Sequence, residues 1–429
     1  MKKSTMTTRP TLTRRAFLKT ALAATGAFTI VPRRVLGGAG YTPPSDELTK
    51  AVIGVGGMGK WHLGNTGTRL LAVCDVDQQH LQTALTLSDS KDVKGYRDFR
   101  EALDCKDIDI IHIATPPHWH ALMSIAAANA GKDVWCEKPM TRTIAEGQKV
   151  VEAMRRNATI FRINTWFRFH GDFYGFGTTV QPIKKLVQSG LLGWPLKVTV
   201  GAQTGFEWKF FWSGRTDAKP EWIPEQLDYD MWLGPAPYKP YHAHRVHGTF
   251  RGYWDYDGGG LGDMGQHYLD PVQYLLDKDD TSPVEIEADA PQQDPEAASS
   301  WRWIRMKYAD GCEVFLDGEA QDANTPFIEG PRGKLFRGFK SDIPNLMKKL
   351  AEFPEPQPQL IDFNEAVKTR KKFALNEMNG HRSATLVNLG KIAVRLGRNL
   401  RFDPAAQRFI GDDAANRFID EPMRAPWRV

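Results

Sequence analysis

Short apolar runs alternate with amphipathic stretches through the first third of the chain. The runs "LTKAVIG" (48–54), "RLLAVCD" (69–75), "IDIIHIA" (108–114), "DVWCE" (133–137) and "TIFRIN" (159–164) are mostly apolar. They fit strands buried on both faces better than strands with one wet side. Between them, "YRDFREALD" (96–104), "HWHALMSIAAANAGK" (118–132) and "TIAEGQKVVEAMRR" (143–156) read as helices, the second closed by Gly131. This alternation predicts a parallel α/β sheet covered by helices, a Rossmann-type dinucleotide-binding domain over residues 45–163. Farther on, "SPVEIEADA", "SWRWIRMKYADGCEVFLDG" and "GKLFRGFK" read as strands, with turns at "ADG" and "EGPRGK". The stretch "NGHRSATLVNLGKIAVRLGRNL" reads as a long helix ending near Gly397. These predict a second α/β domain over 164–405, followed by a C-terminal tail, 406–429.

The first 36 residues do not fit the pattern. They carry Lys2, Lys3, Arg9, Arg14, Arg15, Lys19, Arg33 and Arg34, no acidic residue, and an apolar segment after "TRRAFLK". That segment is short of the ~20 residues a bilayer-spanning helix needs, so a cleaved twin-arginine signal (1–36) is expected, with export to the periplasm or beyond by the Tat machinery. An uncleaved amphipathic anchor is the alternative. The full chain has 56 basic and 51 acidic residues, a net +5; without those eight, 48 face 51, a net −3. The positive charge belongs to the leader, so nothing points to a nucleic-acid partner. No later segment is apolar enough for stable membrane insertion. Cys74, Cys105, Cys136 and Cys312 contain no CxxC pair and read as buried thiols rather than as a disulfide framework or a zinc set.

Chemistry gathers where the strands end. Gly54, Gly56 and Gly59, with Gly57 and Met58 between, form G-x-G-x-x-G after the first strand. Such a loop brings backbone close to a pyrophosphate at a helix start. Asp75 closes the second strand, where a carboxylate accepts from both ribose hydroxyls and repels a 2′-phosphate; this favours NAD over NADP. Thr115, Pro116, His120, Glu137 and Lys138 fall at later strand ends, where ligands of such sheets bind.

With "EKP" at 137–139 in place, the sequence resembles the Gfo/Idh/MocA family of oxidoreductases. The matching residues are "GVGGMG", Asp75, "IATPPHWH", "CEKPM", "VQSGLLGWPLKV" and "GGGLGDMGQHYLD" (258–270), in family order across most of 50–405. The resemblance implies a C-terminal domain built on a large, predominantly antiparallel open sheet. It also implies Lys138, Asp263 and His267 as the catalytic set, a cis Lys138–Pro139 bond, and a homo-oligomer. In alcohol oxidation a lysine accepts the hydroxyl proton only if burial or a nearby positive charge lowers its pKa. Asp263 and His267 stand four apart, on one face of a helix, with Asp263 placed to orient substrate and His267 to relay a proton. Pro271 predicts a kink or restart in that helix.

The second domain is rich in aromatics interleaved with Arg and His. Trp166, Arg168, His242 and Arg251 are the candidate substrate contacts, because aromatic faces stack on sugar rings while charged groups bind hydroxyls. The histidines at 242, 244 and 247 lack metal-ligand spacing, and no metal is expected. The sequence therefore predicts an exported enzyme that moves a hydride between tightly held NAD and a small-molecule carbohydrate: a sugar, glycoside or polyol. Two alternatives stay open. One is an NAD-dependent glycosidase working by transient 3-keto oxidation, elimination and water addition; the other is a non-catalytic NAD-binding sugar sensor.

Overall fold

The strands and helices of the first domain follow the hydrophobic pattern closely. A computed structural model describes residues 47–429 except 65, 66, 89, 166, 167, 170, 320 and 321, and residues 48–429 form one compact unit. The expected leader (1–36) and Trp166 lie outside the described residues. In chain order come β1 (Thr49–Ile53), α1 (Met58–Leu63), β2 (Arg69–Cys74), α2 (Gln78–Leu87), β3 (Lys94–Tyr96) and α3 (Phe99–Asp104). They are followed by β4 (Ile110–Ile113), α4 (His120–Asn129), β5 (Asp133–Glu137), α5 (Ile144–Asn157) and β6 (Phe161–Asn164). The six strands form an all-parallel sheet in the order β3-β2-β1-β4-β5-β6, the doubly wound arrangement whose ligand crevice opens between β1 and β4. Side chains of β1, β4 and β5 are buried throughout, as strands covered on both faces must be. Thr143 and Glu146 form a capping box that starts α5.

The second domain contributes α6 (Val180–Gln188), β7 (Lys197–Val200), α7 (Gly259–Leu275), β8 (Glu285–Asp289), β9 (Trp303–Lys307), β10 (Glu313–Asp317), β11 (Ile328–Gly330), β12 (Gly333–Phe336) and β13 (Lys340–Ser341). It is completed by α8 (Glu377–Leu396), β14 (Leu400–Asp403) and β15 (Arg408–Phe409). Its nine strands form one sheet, β13-β12-β11-β7-β10-β9-β8-β14-β15, antiparallel at every pair except β7 with β10. Inward residues such as Ile304, Met306, Val314 and Leu316 alternate with outward charged or aromatic ones and pack under α7 and α8. No helix among the described residues is long and apolar enough to cross a membrane.

Of the expected kink or restart, no restart occurs: α7 continues through Pro271. The carbonyl that Pro271 leaves without a helical donor is that of His267, and the Tyr174 hydroxyl donates to it at 3.2 Å. A tertiary contact thus replaces the bond that the sequence removes.

Candidate active site

The glycine loop shapes the crevice. Gly54, at φ +82°, follows β1, and a Cβ there would meet Thr115 N at 2.7 Å. A Cβ on Gly59 would lie 1.8 Å from the Gly54 carbonyl oxygen, so only glycine lets α1 pack against the loop. Gly57 has open space where a Cβ would stand, which is the room a pyrophosphate needs. Gly56 and Met58 also line the crevice. Asp75 lies just past β2, its carboxylate accepting from Val55 N at 2.8 Å and Asp77 N at 2.9 Å. It is thereby fixed facing the loop, where ribose hydroxyls would reach it. The donor set and this open cradle fit a dinucleotide.

Thr115, Pro116, Glu137 and Lys138 complete the wall along β4 and β5. Glu137 is held by His62 Nε2 at 2.9 Å and Asn164 Nδ2 at 2.6 Å. Burial disfavours its charge, but these donors keep the carboxyl below its usual range. His120 departs from expectation: its ring is buried off the crevice, with Nδ1 2.7 Å from the Pro139 carbonyl oxygen and Nε2 2.7 Å from that of Thr115. From the first turn of α4 the ring braces the loops after β4 and β5.

Lys138 precedes a cis proline. Its Nζ donates to the Asp263 carbonyl at 2.7 Å and to Asp263 Oδ1 at 2.8 Å, across 125 positions of sequence. Arg251 Nε reaches the same Oδ1 at 2.8 Å, and Lys209 Nζ lies 3.5 Å from Oδ2. Burial opposes the charge on Asp263, yet Lys138 and Arg251 overcome it and hold the carboxyl well below the usual carboxylate range. His267 lies one turn farther along α7, fully buried and not in the crevice wall. Burial and the Lys138 charge hold its imidazole well below the ordinary histidine range.

Two candidate substrate contacts lie outside the crevice lining. Arg168 is fully buried and forks onto Asp270 and Asp279 at 2.6–3.1 Å, so its charge is spent inside the fold. His242 accepts from His244 N and pairs with Glu221, away from the crevice; it caps a single helical turn. Arg251 does line the crevice, bound to Asp263. His247 separates from its two neighbours in sequence and meets Asp77 and His80, whose ring lies edge-on at 4.7 Å between centroids. These three offer donor atoms within 4.8 Å of one another.

Several site residues escaped the sequence reading. Met231 and Trp232 wall the crevice from the second domain, fastened by Asp228 N to Val76 O, Gln78 N to Gln226 O, and both His118 Nε2 and Trp119 Nε1 to Trp232 O. Gln266 accepts from Met140 N at 2.8 Å and donates to Gly380 O and Ser383 Oγ, clamping the Lys138 loop between α7 and α8. Asp257, immediately before the glycines of α7, also lines the crevice. Adjacency to that glycine run was the one signal that pointed to it.

Comparison with known families decides the wider assignment. The model described as "Oxidoreductase family, NAD-binding Rossmann fold" matches residues 48–165, and "Oxidoreductase family, C-terminal alpha/beta domain" matches 176–429. The chain belongs to the Gfo/Idh/MocA oxidoreductase family. Its Rossmann domain is therefore an NAD-binding one. An inositol 2-dehydrogenase of Salmonella typhimurium is 32% identical over 200 residues, 45% of this chain and 56% of that enzyme. A glycosyl hydrolase family 109 protein of Shewanella pealeana is 26% identical over 240 residues, 47% of this chain and 51% of that protein. The chain thus spans about half the length of these relatives. Among solved structures, the WlbA dehydrogenase of Bordetella pertussis, in complex with NADH and UDP-GlcNAcA, shares the fold. Its TM-score is 0.57 at 17% identity, covering 83% of this chain and 99% of that one.

Proposed function

We propose that this protein transfers a hydride between tightly bound NAD and a hydroxyl or keto carbon of a sugar, glycoside or polyol. The observation that carries this reading is the Lys138–Asp263 pair, closed at 2.8 Å on the wall of the glycine-loop crevice. When bound, NAD accepts or returns the hydride. Lys138, in its ion pair, is a hydrogen-bond donor to the substrate oxygen and stabilises the negative charge that grows there. Asp263 fixes that ammonium in place and Arg251 shares the load. His267, one turn farther along α7 and held neutral by burial, keeps its expected part as the proton relay. The second-domain segment 226–232, hydrogen-bonded across the loop after β2, supports tight retention of the cofactor.

The glycosyl hydrolase relative favours a second reading, in which the hydride returns within each turnover and the net reaction is redox-neutral hydrolysis. Export by the twin-arginine route belongs to the same proposal, supported by "TRRAFLK": a protein that must acquire its NAD in the cytoplasm would have to cross the membrane already folded. The test is to incubate the purified protein with p-nitrophenyl glycosides, and separately with free sugars and myo-inositol. Reduced-cofactor absorbance with a keto product supports the dehydrogenase; aglycone release without net reduction supports the glycosidase; neither, with NAD bound, contradicts both.

A further inference from the structure

One short turn of the second domain runs along the crevice from its ribose end to its catalytic end. This 3₁₀ turn, His247–Gly252, contributes His247, Gly248, Phe250 and Arg251 to the lining. Toward its end, Arg251 Nε is tied to Asp263 Oδ1 at 2.8 Å. At its start, His247 meets the beginning of α2, close to Asp75. Its Nε2 lies 3.4 Å from Asp77 Oδ2, and its ring centroid 4.7 Å from that of His80. Asp77 is buried, and its Oδ1 already accepts from Gln79 N at 2.8 Å and His80 N at 3.3 Å, which leaves Oδ2 toward His247. His80 Nδ1 stands 3.6 Å from Asp75 Oδ2. Both separations exceed a charge-assisted hydrogen bond, which runs about 2.7–2.9 Å.

Two imidazoles and a carboxylate thus bring three donor atoms within 4.8 Å of one another. Nitrogen and oxygen ligands stand about 2.0–2.2 Å from zinc, so the edge of their tetrahedron is about 3.4 Å. That edge matches the separation of His247 from Asp77. Two nitrogens and one oxygen suit zinc, whereas calcium and magnesium take oxygen ligands. Around His80 the charges of Asp75 and Asp77 outweigh Lys60 and offset the positive start of α2. The rings of His80 and His247 stay partly open to solvent, so water can fill the fourth position. Metal-ligand spacing is missing around His247 in the sequence because its partners come from the first domain.

We propose that Asp77, His80 and His247 form a zinc site that clasps the His247–Gly252 turn to the first domain at the ribose end of the NAD crevice. Zinc and the Arg251–Asp263 pair then hold the same turn at its two ends, and NAD release requires one of them to let go. The zinc site is independent of the hydride-transfer reading; its effect as a clasp rests on the tight NAD retention proposed above.

The test uses untagged, NAD-bound protein freed of metal by a chelator, with zinc chloride as the probe. Calorimetry should show one zinc bound per chain, and Co2+ in its place should give the strong visible absorption of a four-coordinate site. His247→Asn suits the backbone here, because asparagine tolerates the φ of +54° at this position. His247→Asn and His80→Ala should each weaken zinc binding about 100-fold or more. Asp77→Asn, which keeps the cap of α2, should weaken it likewise, whereas His242→Ala should keep wild-type binding. With zinc bound, NAD release after dilution should slow about tenfold in wild type and stay unchanged in His247→Asn. Wild type that takes up no zinc, or variants at 77, 80 and 247 that hold it as tightly as wild type, would overturn the site. Zinc that binds at these residues without slowing NAD release would overturn the clasp. Neither readout needs a sugar to react, so a cofactor that no sugar reduces contradicts the hydride-transfer reading alone.

Discussion

Lys138 shows how much of the site depends on single contacts made across the sequence. Its Nζ is placed by two Asp263 oxygens, and the loop behind it is pinned by Gln266. Lys138→Ala should lower hydride transfer about 100-fold or more while leaving NAD content unchanged, measured by cofactor reduction and by the nucleotide released on denaturation. Asp75 acts at the other end of the crevice. Asp75→Ala removes a charged acceptor of two loop N–H groups and of the ribose, so NAD affinity should fall about tenfold or more by calorimetry, and discrimination against NADP should narrow. The glycine loop and Asp75 were legible from spacing alone, because their function is built from neighbours in sequence. Arg168 and His120 were not. An arginine in an aromatic run looks the same whether it faces a sugar or, as here, two aspartates more than a hundred residues later.

At the scale of elements, strand existence and order followed from apolar runs too continuous to leave one face wet. Helix α7 is where local rules fell short. Pro271 removes a helical donor without forcing a restart, because the Tyr174 hydroxyl takes over the His267 carbonyl, a partner 93 positions away that no window of sequence reveals. Tyr174→Phe should cost about 1 kcal/mol. In a Pro271→Ala background the restored N–H offers that carbonyl a helical donor, so the same substitution should cost less; a double-mutant cycle in urea measures the difference. Because α7 presents both Asp263 and Gln266, its continuity is also a condition for the site.

Across the whole molecule, buried charge and buried histidine set the response to mutation and to pH. Breaking the Arg168 cluster by Arg168→Met strands Asp270 in the interior and should cost about 3–5 kcal/mol, with the sugar KM of the remaining folded enzyme unchanged. His118 is pulled down to about 3 and His381 to about 4 by burial, and His112, His120 and His267 are also lowered. Each binds its proton more weakly folded than unfolded. The stability they contribute is therefore complete above the unfolded histidine value near 6.5 and is lost as pH falls toward the folded values. Urea midpoints should decline steadily from pH 6.5 toward pH 4, and His118→Gln should flatten that decline. The family and its cofactor were legible because motifs from both domains recur in one order. The convergence of Lys138 with Asp263 was legible only through that resemblance, since contact across 125 positions is a property of the folded chain.

The central claim is that this crevice exchanges a hydride with a sugar carbon, and isotope transfer tests it most directly. Purified protein carrying its NAD is incubated with perdeuterated glucose or perdeuterated myo-inositol, then denatured, and the released cofactor is weighed by mass spectrometry. The account predicts deuterium in the nicotinamide ring, lost when Lys138 is replaced by alanine. Bound NAD that gains no deuterium from either compound would contradict it.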